Sequence, residues 1–153
     1  MSVVVSLKDV VDALDISGQT RECFLDPESG EILLITEDDQ LALEQAEDEL
    51  VPEWQREHLQ EARKLLDSNR GLRLPNSFDI HEWSIMENFC YTIVETGTRE
   101  TMLDSIHRKG AFSRFREVLE RFDLQQEWFS FRESAFKQIA RDWLEVNGIS
   151  YKE

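Results

Sequence analysis

The side chains best suited to chemistry are the histidines His58, His81 and His107, the cysteines Cys23 and Cys90, and carboxylates spaced three apart at Asp79/Glu82 and Asp142/Glu145. A helical zinc site needs a second ligand one turn away, and no other histidine or cysteine stands three or four residues from any of these. Neither a metal nor a cofactor is expected. The acidic runs Glu37-Asp38-Asp39 and Glu44 to Glu49 lack the ligand spacing and turn glycine of a calcium loop, so they read as solvated helix. Paired acids of the Asp79/Glu82 type can serve acid–base catalysis in a cleft, but the same spacing is routine at helix caps. Cys23 and Cys90 lack a neighbouring Lys or His and a C-x-x-C partner, and they read as reduced thiols filling apolar space. The chain has only six glycines and contains no G-x-x-x-x-G-K-[ST], G-x-G-x-x-G or G-x-S-x-G. Nucleotide cradling and serine-hydrolase chemistry therefore have no sequence support. No catalytic residue is assigned, and the chain is read as a non-enzyme.

A second pattern concerns recognition. Residues 110–149 hold eight of the thirteen Phe and Trp residues, interleaved with arginines. Aromatics at helical spacing are first of all core. Arg132 stands out because on a helix it lies level with Trp128, Phe129, Ala135 and Phe136. Its guanidinium is expected to find an aromatic face and a carboxylate from the acidic half of the chain. The functional alternative is a slot for a partner's carboxylate or phosphate. Arg114, Phe115, Arg121, Trp128 and Arg132 are the candidate binding residues, with Arg108, Lys109 and Arg116 adding a basic rim around Gly110.

Composition bounds the setting. A chain of 153 residues with 41% hydrophobic and 32% charged residues suits one globular domain, 1–153, with no membrane span. Its first residues lack a basic n-region and a small-residue cleavage site, so a cytoplasmic protein is expected. The net charge of −15 is lopsided: residues 1–67 carry 5 basic and 18 acidic groups, and residues 108–153 carry 9 and 8. So acidic a front half repels nucleic acid.

The elements that must position these residues follow from periodicity. Ser6 with Asp9 reads as a capping box for a helix with Leu7, Val10, Val11 and Leu14 inward, ending near Ser17-Gly18. Residues 22–26 and 31–36 read as strands of an antiparallel hairpin, turned at Pro27 to Gly30, where Gly30 is free to take positive φ. A lone hairpin is marginal, so it must pack on helices or gain a third strand. Helical text resumes at Glu37, and Pro52 starts another helix running to about Ser68, with Trp54, His58, Leu59, Ala62, Leu65 and Leu66 on its apolar face. Leu72 to Pro75 should be extended. Asp79 with Glu82 then resembles a capping box for a helix facing inward through Trp83, Met86, Phe89, Cys90 and Ile93 and closed by Gly97. Thr98 is expected to cap a short helix. Two more helices are expected at 112–122 and 124–146, the last apolar on two sides through Trp128-Phe131-Ala135-Ile139-Trp143 and Phe129-Phe136-Ala140-Leu144, hence central. The fold class is α+β, mostly α: a helical domain with a small antiparallel N-terminal β-hairpin packed on the helices.

Three blocks resemble one known family. They are Leu25-Asp26-Pro27-Glu28-Ser29-Gly30-Glu31-Ile32, then Leu74-Pro75 through Glu82-Trp83-Ser84-Ile85-Met86-Glu87-Asn88-Phe89, and then Gly110-Ala111-Phe112-Ser113-Arg114-Phe115 continuing to Trp128-Phe129 and Ala140-Arg141-Asp142-Trp143-Leu144. Together they are similar to uncharacterised protein family 0158, a set of small bacterial proteins. The resemblance spans nearly the whole chain and implies a bacterial cytoplasmic protein, with no activity, cofactor or catalytic residue attached. The aromatic and arginine-bearing segment from Gly110 to Arg132, with its acidic flank, carries the functional expectation: a non-catalytic interaction or regulatory protein with an unidentified protein partner. The alternative is a nucleic-acid-associated protein using the basic and aromatic segment from Arg108 to Arg132.

Overall fold

The computed structural model describes residues 3–17, 21–45 and 53–153. Two compact units are present, one formed by residues 1–80 with 139–153 and the other by residues 81–138.

The first unit starts with a short strand, β1 (Val4–Ser6), running directly into α1 (Leu7–Ile16). Leu7, Val10, Ala13 and Leu14 of α1 are buried, as the apolar spacing requires. Ser6 occupies the N-cap with extended backbone, but its side chain makes no capping bond, so the expected Ser6–Asp9 box is not formed. β2 (Arg21–Leu25) and β3 (Ile32–Thr36) pair antiparallel, with Cys23 opposite Leu34 and Leu25 opposite Ile32. Gly30 closes their connection at φ +77°, donating its N–H to Asp26 O at 2.8 Å, and a Cβ there would stand 2.5 Å from Val3. Asp26 braces the same turn, accepting the Glu28 amide at 2.9 Å and pairing with Arg70 Nε at 3.2 Å.

The short extended segment before Pro75 is a strand, β4 (Leu72–Arg73), pairing antiparallel with β2 to give the sheet order β3-β2-β4. That third strand supplies the support a bare hairpin lacks. A second, two-stranded sheet joins β1 in parallel to β5 (Ser150–Lys152), with Val5 opposite Tyr151. Nothing in the periodicity announced it, because three-residue strands are too short to show alternation.

α2 (Glu37–Gln45) and α3 (Glu53–Asp67) complete this unit with the single turn α4 (Ser77–Ile80). The expected helix start at Pro52 lies outside the described residues. On α3, Leu59, Ala62 and Leu65 are buried, whereas Trp54 is 78% exposed and leaves the expected apolar face.

In the second unit α5 (Glu82–Tyr91), α6 (Thr96–Ile106) and α7 (Ala111–Arg121) follow in order. The capping box expected at Asp79/Glu82 sits three residues earlier: Asn76 and Asp79 exchange amide-to-side-chain bonds at 3.1 and 3.2 Å. His81, at φ +53°, leads into α5 with no side-chain cap. Gly97 does not close α5. It lies in the first turn of α6, where the Glu95 carboxylate, rather than Thr98, caps by accepting the amides of Gly97 and Thr98 at 3.0 and 2.6 Å.

α8 (Gln125–Val146) contributes residues to each unit. Of the two apolar stripes expected along it, Trp128, Phe136, Ala140 and Leu144 are fully buried in a row stepping by four with Arg132 at the missing step, and Phe131, Ala135, Ile139 and Trp143 are half-buried. Phe129 drops out of its stripe at 60% exposed. Since four residues advance a helix by about 40° beyond a full turn, this row winds around α8 as it runs.

Candidate interaction surface

In the second unit the aromatic block divides into interior and surface. Phe115 from α7 and Trp128 from α8 are 2% and 8% exposed and meet edge to face at 4.9 Å between centroids. Phe89 of α5 completes the cluster, with ring centroids 5.4 Å from both Trp128 and Phe131 and 6.3 Å from Phe115. Edge-to-face pairs of this kind each add about 0.5–1.5 kcal/mol beyond the area they bury. Phe115 and Trp128, taken from the sequence as binding residues, are thus interior scaffold.

Arg132 fills its place in the buried row through contacts that include Glu82 and Phe136. Its Nε donates to Glu82 Oε1, and its guanidinium carbon lies 4.1 Å from the centre of the Phe136 ring. The aromatic face is the expected one. The carboxylate is not: it comes from the start of α5 rather than from the acidic front half of the chain. With its side chain 25% exposed, Arg132 belongs mainly to the structure of the unit.

Arg114 and Arg121 lie on the surface of α7, seven residues apart and so on one flank of the helix. Arg114 Nε donates to Lys109 O at 2.8 Å, which folds its stem back over the α6–α7 turn, and Arg108 pairs with Asp104 at 3.1 Å. Arg116 takes the opposite flank, beside Phe112, which is 52% exposed. A shallow cleft of about 470 Å³ opens on α8 next to the end of α5, floored by Phe89 and Phe131 and edged by the hydroxyls of Thr92, Ser130 and Ser134. Phe112 and Phe129, which are not among the sequence-derived binding residues, are the exposed rings of α7 and α8. The spacing predicts Phe112 on one inward stripe of α7 with Phe115, Val118, Leu119 and Phe122, and its exposure corrects that expectation.

A model of the uncharacterised protein family UPF0158 matches residues 1–152. The chain belongs to that family. No curated protein and no solved structure matches it. The blocks through which the chain resembles UPF0158 proteins fall on structural devices. Residues 25–32 form the β2–β3 connection clamped by Arg70, residues 74–89 hold the Asn76–Asp79 cap and α5, and residues 110–144 supply α7 and the buried row of α8.

The remaining reactive groups are also held by neighbours. Burial raises the Cys23 thiol above its ordinary value and pushes Cys90 up to about 11, so neither is a ready thiolate at neutral pH. His107 stacks edge-on to Trp83 at 5.5 Å, while Trp83 Nε1 donates to Ile106 O at 2.9 Å. His58 Nε2 lies 2.8 Å from Leu34 O and 3.4 Å from Asp39 Oδ2; a carbonyl can only accept, so that nitrogen carries the proton. Asp79 serves the Asn76 cap and faces Arg73 at 3.6 Å, and Glu145 accepts the Tyr151 hydroxyl at 3.1 Å. Among the described residues no group of three or more His, Cys, Asp or Glu is arranged to hold a metal. Among the same residues no helix is long and apolar enough to cross a membrane.

Proposed function

We propose that the protein is a non-catalytic interaction or regulatory protein of the cytoplasm, binding another protein through the second unit's surface. The observation that carries this reading is the exposure of Phe112 and Phe129, together with Tyr91, in a unit where Phe89, Phe115, Trp128 and Phe131 interlock. Exposed aromatics beside arginines are the residue types that dominate binding energy at protein interfaces. Arg116 stands beside Phe112, and Arg114 and Arg121 supply paired cations along the opposite flank of α7. The cleft over Phe89 and Phe131 offers a partner's apolar side chain a place to anchor.

The same exposed cations, from Arg108 to Arg121, would be the contacts of a nucleic-acid-binding protein. Residues 81–138 nevertheless carry 8 basic and 10 acidic groups, which opposes a polyanion. The test is capture from a lysate of the source cells by immobilised wild-type protein and by an Arg114→Glu/Arg121→Glu variant. Expected is one stoichiometric protein partner retained by the wild type and lost by the variant. Equal recovery by both, or recovery of nucleic acid alone, overturns the reading.

A further inference from the structure

The three-stranded sheet of the first unit has β3 on its outside, and three contacts fix which of its backbone groups face outward. Asp26 N donates to Glu31 O at 2.9 Å, Leu74 N donates to Cys23 O at 2.9 Å, and His58 Nε2 donates to Leu34 O at 2.8 Å. In an antiparallel ladder, opposed residues alternate between exchanging both bonds and pointing away from each other. Leu33 and Ile35 therefore bond to β2, while Ile32, Leu34 and Thr36 turn their N–H and C=O to the open edge. Two of these groups are taken by side chains: His58 holds the Leu34 carbonyl, and Asp39 holds the Thr36 amide at 3.0 Å. With the Thr36 carbonyl at the N-cap of α2, where it opens the helical bond ladder, that leaves the N–H and C=O of Ile32 and the N–H of Leu34, which have no hydrogen bond among the described residues.

Next to this uncapped stretch lies a groove of about 590 Å³ between α1 and β3. Ile32 and Leu34, half-buried and on the same sheet face as Cys23, form its floor, and Ala13 and Ile16 of α1 form its wall. Asp9 and Asp12 stand along one rim and Glu31 at one end, all exposed. Exposed edge strands are templates for another strand, and natural proteins usually block them with charge or a covering element. Here one half of the edge is blocked and the other half opens onto apolar surface.

We propose that this groove binds an extended segment of a partner protein, with the pattern basic-x-apolar-x-basic, that adds to β3 as a fourth strand. The backbone of the segment would pair with Ile32 and Leu34. Because side chains alternate along a strand, its central apolar residue and both flanking cations fall on the groove side. The apolar residue lies on Ile32 and Leu34, and the cations reach Asp9, Asp12 and Glu31. Charge sets the occupant. Residues 1–80 with 139–153 carry 9 basic and 22 acidic groups, so a second copy of this unit is repelled and a cationic segment is drawn in. This site is independent of the surface on residues 81–138.

The test is an NMR titration of the full chain with the capped heptapeptide Thr-Lys-Thr-Val-Thr-Lys-Thr. Expected are saturable shifts centred on the Ile32 and Leu34 amides. N-methylation of one alternate set of peptide amides should weaken binding by about tenfold or more, and methylation of the other set should leave it nearly unchanged, because a strand presents only one edge to its neighbour. Asp12→Lys, a change at an exposed position of α1, should weaken binding by about tenfold without altering the fold. Shifts that miss Ile32 and Leu34, equal weakening by both methylated sets, or equal binding of the glutamate-for-lysine peptide each overturn the proposal.

Discussion

Arg132 decides whether the aromatic block is scaffold or site. It sits where the i, i+4 row of α8 would otherwise carry an apolar side chain, and Glu82 and Phe136 receive its guanidinium. An ion pair this close to the surface adds little by itself, but the stem of the arginine also packs against the row. Arg132→Ala is expected to cost about 1–2 kcal/mol in denaturant unfolding, with Arg132→Met recovering part of the loss through packing. A double-mutant cycle with Glu82→Gln should return a coupling of roughly 0.5–1 kcal/mol. If Arg132→Ala leaves stability unchanged, Arg132 is available to a ligand and the structural reading fails. The sequence made Arg132 stand out but could not name Glu82, because the partner lies 50 positions away and long-range pairing leaves no periodic trace. Arg70 was missed for the same reason: its bond to Asp26 spans 44 positions.

Among the elements, caps were the least legible feature. Ser6, Asp79/Glu82 and Thr98 carry residues that favour helix starts, yet the working caps are Asn76–Asp79, Glu95 and, on α2, Thr36–Asp39. Several residues near each boundary can cap, and tertiary packing selects among them. The helices themselves were readable, since α1, α7 and α8 begin and end within a residue or two of their apolar patterns. Thr36–Asp39 also yields a test of pH dependence. Burial alone would raise the Asp39 carboxyl, but the Thr36 amide, the Gln55 side-chain amide, the Thr36 hydroxyl and His58 hold it below the usual 3.8. A carboxyl with a depressed folded-state value stabilises fully above its unfolded value and stops doing so as pH falls through the folded one. Asp39→Asn should therefore be less stable than wild type by about 1 kcal/mol at pH 7, and the gap should shrink as pH drops below about 4. Urea unfolding of both proteins at pH 7 and pH 3 checks this, and a gap of constant size would show that the carboxylate charge is not what stabilises the cap.

Over the whole chain, acidic charge and exposed aromatics are divided between the two units. The acidic excess belongs almost entirely to residues 1–80 and 139–153, while the arginine-flanked aromatics belong to residues 81–138. The chain returns to the first unit within α8, and because helix formation is cooperative we propose that residues 1–153 unfold as one domain. Far-ultraviolet circular dichroism and tryptophan fluorescence should then trace a single coincident transition; two resolved transitions would establish separate domains. The mostly helical α+β class could be read from periodicity alone, whereas the parallel β1–β5 pairing, which joins residues 4–6 to 150–152, could not. The most direct test of the proposed role is partner capture by a Phe112→Ala/Phe129→Ala variant against wild type at equal concentration, with unfolding of both measured alongside. Expected is loss of the captured protein with stability changed by no more than about 0.5 kcal/mol, as for surface substitutions. Undiminished capture by the stable variant would contradict recognition through the exposed rings.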